Sequence, residues 1–336
     1  MFDVITIGSI TRDNFLELDY EIIPWKKTRL EKAIILPLGE KIGVKKVYST
    51  LGGNSANASV TFSRQGFKTA CFGKIGNDLA GEEVVNQLEG EGVKTLFAVS
   101  KEKATAYSAL LLKDGERTIL GYHGASDTME TADIPWSELK SKWWYLSLAG
   151  ESDKLLKPFL KFAKDNKIKV AFNPSGHHIQ NRKGEILSLL KDINFLVLNE
   201  NEAAELVGIP FSKEKEVFKK LDELMPGIVA VTDGENGVTV SDGKNIYKAG
   251  IFKENKVADR TGAGDAFGSG FTAALLESEK RKAKSEKEII ECAIRLGSAN
   301  ATSVIESIGA TEGILNKKDF NSDARWKNLD IKIKSV

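Results

Sequence analysis

Residues 257–271 read Val-Ala-Asp-Arg-Thr-Gly-Ala-Gly-Asp-Ala-Phe-Gly-Ser-Gly-Phe. Gly262, Ala263 and Gly264 carry almost no side chain, so a ligand can approach their backbone N–H groups closely. Beyond them Phe267, Phe271, Ala274 and Leu275 recur at the spacing that buries one face of a helix. A glycine-rich turn opening a helix offers unpaired N–H donors and the positive end of the helix dipole, which is a place for phosphate. Asp265 puts an acid at the mouth of that site. An acid there makes sense if it takes a proton from a hydroxyl as the phosphate arrives. The plainer reading is a tight turn whose small residues serve helix packing.

Competing motifs fail on their residues. No stretch supplies Gly-x4-Gly-Lys-Ser/Thr. The dinucleotide pattern Gly-x-Gly-x-x-Gly would need glycine where Phe267 stands, and Gly268-Ser269-Gly270 is too short for Gly-x-Ser-x-Gly. Far upstream lies a second patterned stretch. It runs from Gly52-Gly53-Asn54-Ser55-Ala56-Asn57-Ala58 to Gly73-Lys74-Ile75-Gly76-Asn77-Asp78 and Gly81.

Together, Asp259-x-Thr261-Gly262-Ala263-Gly264-Asp265 and this upstream stretch resemble the two signatures of the ribokinase-like (pfkB) carbohydrate kinases, in the right order. The resemblance covers about residues 2–315. It implies an α/β fold, a ribokinase-like three-layer sandwich with a central, mostly parallel sheet and a small β-sheet lid. It also implies one kinase domain over 1–336, with lid segments at about 15–50 and 104–121.

Composition is ordinary for a soluble globular protein. The 336 residues are 41% hydrophobic and 28% charged, and 48 basic against 47 acidic residues leave a net charge of +1. That balance provides no general field for nucleic acid or an anionic membrane, so neither is expected as a partner. Cys71 and Cys292 are far apart and form no Cys-x-x-Cys pair, which favours buried thiols in a reducing, cytoplasmic setting. The start, Met-Phe-Asp-Val-Ile-Thr-Ile-Gly, reads as a first strand and not as a signal peptide.

Along the chain, residues 2–8, 69–73, 144–148, 169–173, 195–199 and 227–232 read as strands, with helical patterns between the later ones. This alternation argues for a parallel sheet covered on both faces. Within 15–50, residues 33–38 and 45–48 look like strand pieces. Residues 104–121 read as a hairpin about Asp114-Gly115, a favoured turn pair. Residues 277–287 are nearly all charged and read as a solvated loop, after which Ser285-x-x-Glu288 forms a capping box. The tail alternates over 329–334 and either joins a sheet edge or frays; within 316–336 the sequence gives no role.

Polar residues at the expected strand ends supply the other candidates. By the resemblance, Asn199 and Glu202 help hold magnesium and the phosphates through water. A helix N-cap with acids in its first turn explains them equally, and both can hold. Thr232, Gly234 and Gly237 resemble the nucleotide loop, although such a run is also an ordinary turn. On the substrate side the family pattern falls on Asp13, Gly52, Gly53, Asn54 and Asn57. A monovalent cation, K+, is implied near Asp259 and Thr261, with Gly309 contributing. Ribokinases proper carry an acid just after the strand at 144–148, whereas Ala149-Gly150 stand here with Glu151 beyond, which speaks against ribose itself. His177 and His178 read as solvated loop residues, and Trp143 and Trp144 as core.

These expectations combine into an ATP-dependent, magnesium-using phosphotransferase acting on a hydroxymethyl group of a sugar. In it Asp265 is the base and the amides of Gly262, Ala263 and Gly264 form the anion hole. The alternatives are a nucleoside kinase of the same fold and, from a different class, a non-catalytic sugar or nucleotide sensor. A homodimer through the β lid is left open.

Overall fold

The computed structural model describes residues 1–28, 31–113, 116–280 and 285–336. The Asp114-Gly115 turn, residues 29–30 of the first lid segment and residues 281–284 of the charged stretch lie outside the described residues.

A ten-stranded sheet forms the body. From one edge its strands are Ile331–Ser335, Asn245–Ala249, Val238–Ser241, Ile228–Thr232, Phe195–Asn199, Lys169–Phe172, Ser141–Ser147, Phe2–Gly8, Thr69–Phe72 and Lys94–Thr95. From Ile228–Thr232 onward every neighbouring pair is parallel, and the three strands at the other edge are antiparallel. The central strands are apolar almost throughout, as strands covered on both faces must be. Alternation along them sorts the two covers. Leu196 and Leu198 join the core formed with Leu156–Asp165, Gly176–Leu189, Glu200–Val207 and Glu214–Leu224. Phe195 and Val197 face Asn54–Arg64, Ala263–Lys280 and Glu286–Ile305. There Phe195 stacks on Phe271 with ring centroids 4.4 Å apart. These are the three layers of an α/β sandwich.

The second sheet has four strands in the order Glu116–Tyr122, Ala106–Lys113, Thr11–Leu18 and Val44–Gly52. Phe15, Leu110 and Leu112 line its inner face with Tyr48 and with Ile308 of the body. On its outer face Val47, Leu120, Tyr107 and Tyr122 remain exposed. In register, Asp13 stands between Ser108 and Thr50, on the same face as Phe15.

Several expectations need correction. The stretch 277–287 is not one loop: a helix continues to Lys280 and the next begins at Glu286, capped by Ser285 and Glu288 as expected. Of the described charges, Glu279 on the first helix accepts from Trp143 Nε1 at 3.1 Å and Glu277 pairs with Lys317. The strand expected at 33–38 is Lys32–Ile35, paired with Glu21–Pro24, which the sequence reading did not mark. His177 and His178 lie in the first turn of the helix Gly176–Leu189, and His178 is fully buried. Cys71 is buried, but Cys292 is partly exposed. Trp143 and Trp144 are core residues, and the tail adds its strand to the sheet edge.

Candidate active site

The functional edge lies where parallel strands end, at Gly8, Ser147, Asn199 and Thr232. Against it sits the turn that precedes Ala263–Lys280. Gly262 has φ +78°, and a Cβ there would fall 2.5 Å from Ala310 Cβ, so only glycine fits. Ala266 donates to the Gly262 carbonyl at 2.8 Å. The N–H groups of Ala263, Gly264 and Asp265 therefore precede the helical ladder. Open space borders Gly264.

Asp259 holds the turn in shape. Its Oδ1 accepts from Thr261 N at 3.0 Å and Thr261 Oγ1 at 2.7 Å, and its Oδ2 accepts from Gly309 N at 3.4 Å. Asp259, Thr261 and Gly309 are thus brought together. Arg117, from the inner face of the small sheet, reaches to 3.8 Å from Asp259 Oδ1, and among the described residues its buried Nε has no hydrogen-bond partner. Sequence reading missed Arg117, because only the pairing of the hairpin carries it over a turn more than 140 residues away.

Asp265 is buried, and its Oδ2 accepts from Asn57 Nδ2 at 3.0 Å. Burial pushes its carboxyl up to about 6; the Asn57 bond opposes that rise, and the charges of Glu202 and Asp13 add to it. Asp13 is likewise pushed up to about 6, chiefly by burial, with Ser108 opposing and Asp259 adding. Gly52 makes room for it, since a Cβ at 52 would lie 2.1 Å from Asp13 Oδ2. Gly53 backs onto Ser9 and Ile10. Asn54 donates its side-chain amide to Ser147 Oγ at 3.0 Å and its backbone N–H to Ser9 Oγ at 2.9 Å. The upstream loop is therefore pinned to two strand ends, with Asp13, Asn57 and Asp265 gathered beside it.

On the other side of Asp265 a cleft of about 600 Å³ is lined by Asn199, Thr232, Gly234, Gly237, Arg260 and Gly264, among others. Arg260 was also missed, although it adjoins Asp259 within the motif. Asn199 caps the helix Glu200–Val207: its Oδ1 accepts from Glu202 N at 2.9 Å, and Glu202 accepts from Asn199 N at 2.8 Å. Burial raises the Glu202 carboxyl above its usual range. Glu202 is not in the cleft lining, and its connection to the site is the charge that Asp265 feels. A larger cleft, about 760 Å³, lies against the tail, where Lys248 pairs with Glu214 and Arg325 with Glu306.

Residues 28–317 match the family described as pfkB family carbohydrate kinase. The chain is 29% identical over 329 residues to a ribokinase of Haemophilus influenzae, covering 93% of this chain and 95% of that one. Among solved structures it is similar to a ribokinase of Giardia lamblia, with TM-score 0.78, 20% identity and coverage of 95% and 97% of the two chains. It is also similar to an adenosine kinase of Sinorhizobium meliloti, with TM-score 0.77, 22% identity and coverage of 95% and 98%. At these identities the solved structures establish the shared fold.

Proposed function

The chain belongs to the pfkB family of carbohydrate kinases, and from that membership we propose that it transfers the terminal phosphoryl group of ATP to a hydroxymethyl group of a sugar, with a nucleoside as the alternative acceptor. The observation that carries this reading is the buried Asp265 carboxylate. It is held by Asn57 and set in the first turn of the helix whose glycine turn borders the 600 Å³ cleft. A sensor would have no use for an acid at that point.

ATP fits the cleft by its donors: Ala263 and Gly264, whose amides precede the helical ladder, line it, and Arg260 adds a cation there. The acceptor hydroxyl would lie beside Asp13 and Asn57, within reach of Asp265. Asp265 takes the hydroxyl proton as the oxygen attacks in line, and the amides of Ala263 and Gly264, with Gly262 shaping the turn, stabilise charge on the transferring group. A carboxyl at about 6 is mostly ionised at neutral pH, as a base must be. Asp13 and Asn57 orient the acceptor through its other hydroxyls.

Magnesium, when bound, supplies positive charge across the nucleotide phosphates. Among the described residues no group of three or more His, Cys, Asp or Glu side chains is arranged to hold a metal. Asn199, in the cleft lining, and Glu202, bonded to it, would serve a hydrated ion held mainly by phosphates. A monovalent cation would be held around Asp259, Thr261 and Gly309.

The small sheet acts as the lid, with Asp13 on its inner face, and its exposed apolar outer residues suit a homodimer through that face. The test is steady-state ADP formation with free pentoses, hexoses, nucleosides and their phosphates. Acceptor-dependent turnover supports the reading. ATP binding without turnover on any acceptor would favour a sensor.

A further inference from the structure

The acceptor end holds two buried oxygens that the protein itself leaves unsatisfied. Asn57 spends its amide N–H on Asp265, and its Oδ1 is buried with no hydrogen-bond partner among the described residues. Asp127 Oδ1 is in the same condition. Buried polar atoms are nearly always paired, so two orphans near one site call for an occupant. Both are acceptors, so the occupant must bring donors.

Asp127 stands in the short turn Gly124–Thr128, which is tied to the end of the first strand because Ile10 N–H donates to Ser126 Oγ at 3.2 Å. Its carboxyl fills the space that a side chain at position 150 would take. A Cβ on Gly150, where φ is +54°, would lie 2.3 Å from Asp127 Cγ and 2.5 Å from its Oδ2. Gly150 is three residues past Ser147, the residue to which Asn54 anchors the upstream loop. Ser147 is paired in register with Gly8, just before Ser9 and Ile10. The turn that carries Asp127 and the loop that leads into Asn57 are thus anchored at the ends of the same two neighbouring strands.

Among the described residues no nearby cation donates a hydrogen bond to Asp127 Oδ1. Lys74 is committed to Asp133 at 2.8 Å and to the Thr128 carbonyl at 3.2 Å. His123 is 75% exposed and stands 3.8 Å from Asp127 Oδ1, beyond hydrogen-bond range. Arg117 belongs to the anion turn, beside Asp259.

We propose that Asp127 is an acceptor-recognition residue and that the acceptor is a neutral polyhydroxylated molecule, a free sugar or nucleoside and not a sugar phosphate or sugar acid. This inference rests on the kinase reading above. One acceptor hydroxyl donates to Asp127 Oδ1 and another to Asn57 Oδ1. A phosphate or carboxylate in their place would meet Asp13, Asp127 and Asp265, three carboxyl groups, and the acceptor oxygen of Asn57. The same arrangement accounts for the small residues Ala149-Gly150 at the strand end: the carboxyl they lack is delivered from position 127.

The test compares the parent protein with Asp127→Ala and Asp127→Asn, both checked for an unchanged melting profile. The acceptors are D-ribose, D-fructose, adenosine and cytidine, set against ribose 5-phosphate, fructose 6-phosphate and D-gluconate. The parent should use one or more neutral acceptors and prefer them to every anionic one. Loss of a hydrogen bond to a charged group should raise the acceptor KM of Asp127→Ala about tenfold to a hundredfold, with Asp127→Asn between, while the ATP KM stays within about twofold. A deoxy analogue lacking the hydroxyl that Asp127 reads should be used about equally by parent and Asp127→Ala, which a merely structural role would not produce. Preference for an anionic acceptor, or an acceptor KM unmoved in both variants, overturns the proposal and leaves the kinase reading standing. Absence of turnover on every acceptor overturns the kinase reading, and this proposal with it.

Discussion

The two halves of the site treat their polar groups differently. On the donor half the acids have partners: Asn199 and Glu202 cap each other, and Asp259 is bonded to Thr261 and Gly309, while Arg117 Nε beside it is left without a partner among the described residues. On the acceptor half the groups are buried, raised in pKa or unpaired, as Asp13, Asn57 and Asp127 are. The donor half is finished by local backbone geometry. The acceptor half is held together by long-range contacts and, on the reading proposed above, is completed by the acceptor. Buried acids with open valences reduce stability, which proteins tolerate where binding needs it.

Asp265 lies where the halves meet, so its loss should have the largest effect. Asp265→Asn keeps size and polarity but cannot take a proton. Its kcat should fall by about 10²–10⁴, with ATP affinity nearly unchanged in a direct titration. The same substitution should stabilise the fold at neutral pH. The folded carboxyl titrates at about 6 against an ordinary 3.8, so the folded state binds the proton more readily and stability falls as pH rises between those values. Removing that penalty is worth up to about 3 kcal/mol at pH 7. Thermal melts should show Asp265→Asn above the parent at pH 7, with the gap closing toward pH 4.

Effects confined to one half come next. Asp13→Ala or Asn57→Ala should cut kcat/KM for the acceptor about tenfold to a hundredfold while ATP binding holds steady. Equal losses for both substrates would erase the distinction between the halves. The smallest signal is dynamic. With acceptor bound, hydrogen exchange should slow in Thr11–Leu18, Val44–Gly52 and Ala106–Lys113 together, as expected for a closing lid. Slowing limited to 195–265 would argue against a lid.

The same contrast explains what the sequence could disclose. The parallel strands are near-continuous apolar runs, the glycine turn is contiguous, and the Ser285 and Asn199 caps depend on residues three apart. All of these were legible. The partners of Asp265 and Asp127 were not, because Asn57 is 208 positions from Asp265 and Gly150 meets Asp127 only through the packing of two short turns. Burial of His178 was hidden for the same reason: the Asp153 carboxylate beside it comes from another loop, with Oδ1 3.3 Å from His178 Nδ1. The charged stretch at 277–287 was misread because helix ends can carry many charges at their surface while Leu275 and Leu276 anchor the turn before.

The central claim is that Asp265 is a base poised by burial, by Asn57 and by the charges of Glu202 and Asp13. The pH dependence of kcat/KM for the acceptor tests it most directly. The parent should show an acid limb with an apparent midpoint near 6, shared with Asp13, since the two groups interact. Asn57→Ala removes a bond that lowers the Asp265 carboxyl, so the limb should move to higher pH. Asp13→Asn removes a charge that raises it, so the limb should move to lower pH. A profile that is flat from about pH 5 to 8, or a limb that neither variant displaces, would contradict the account.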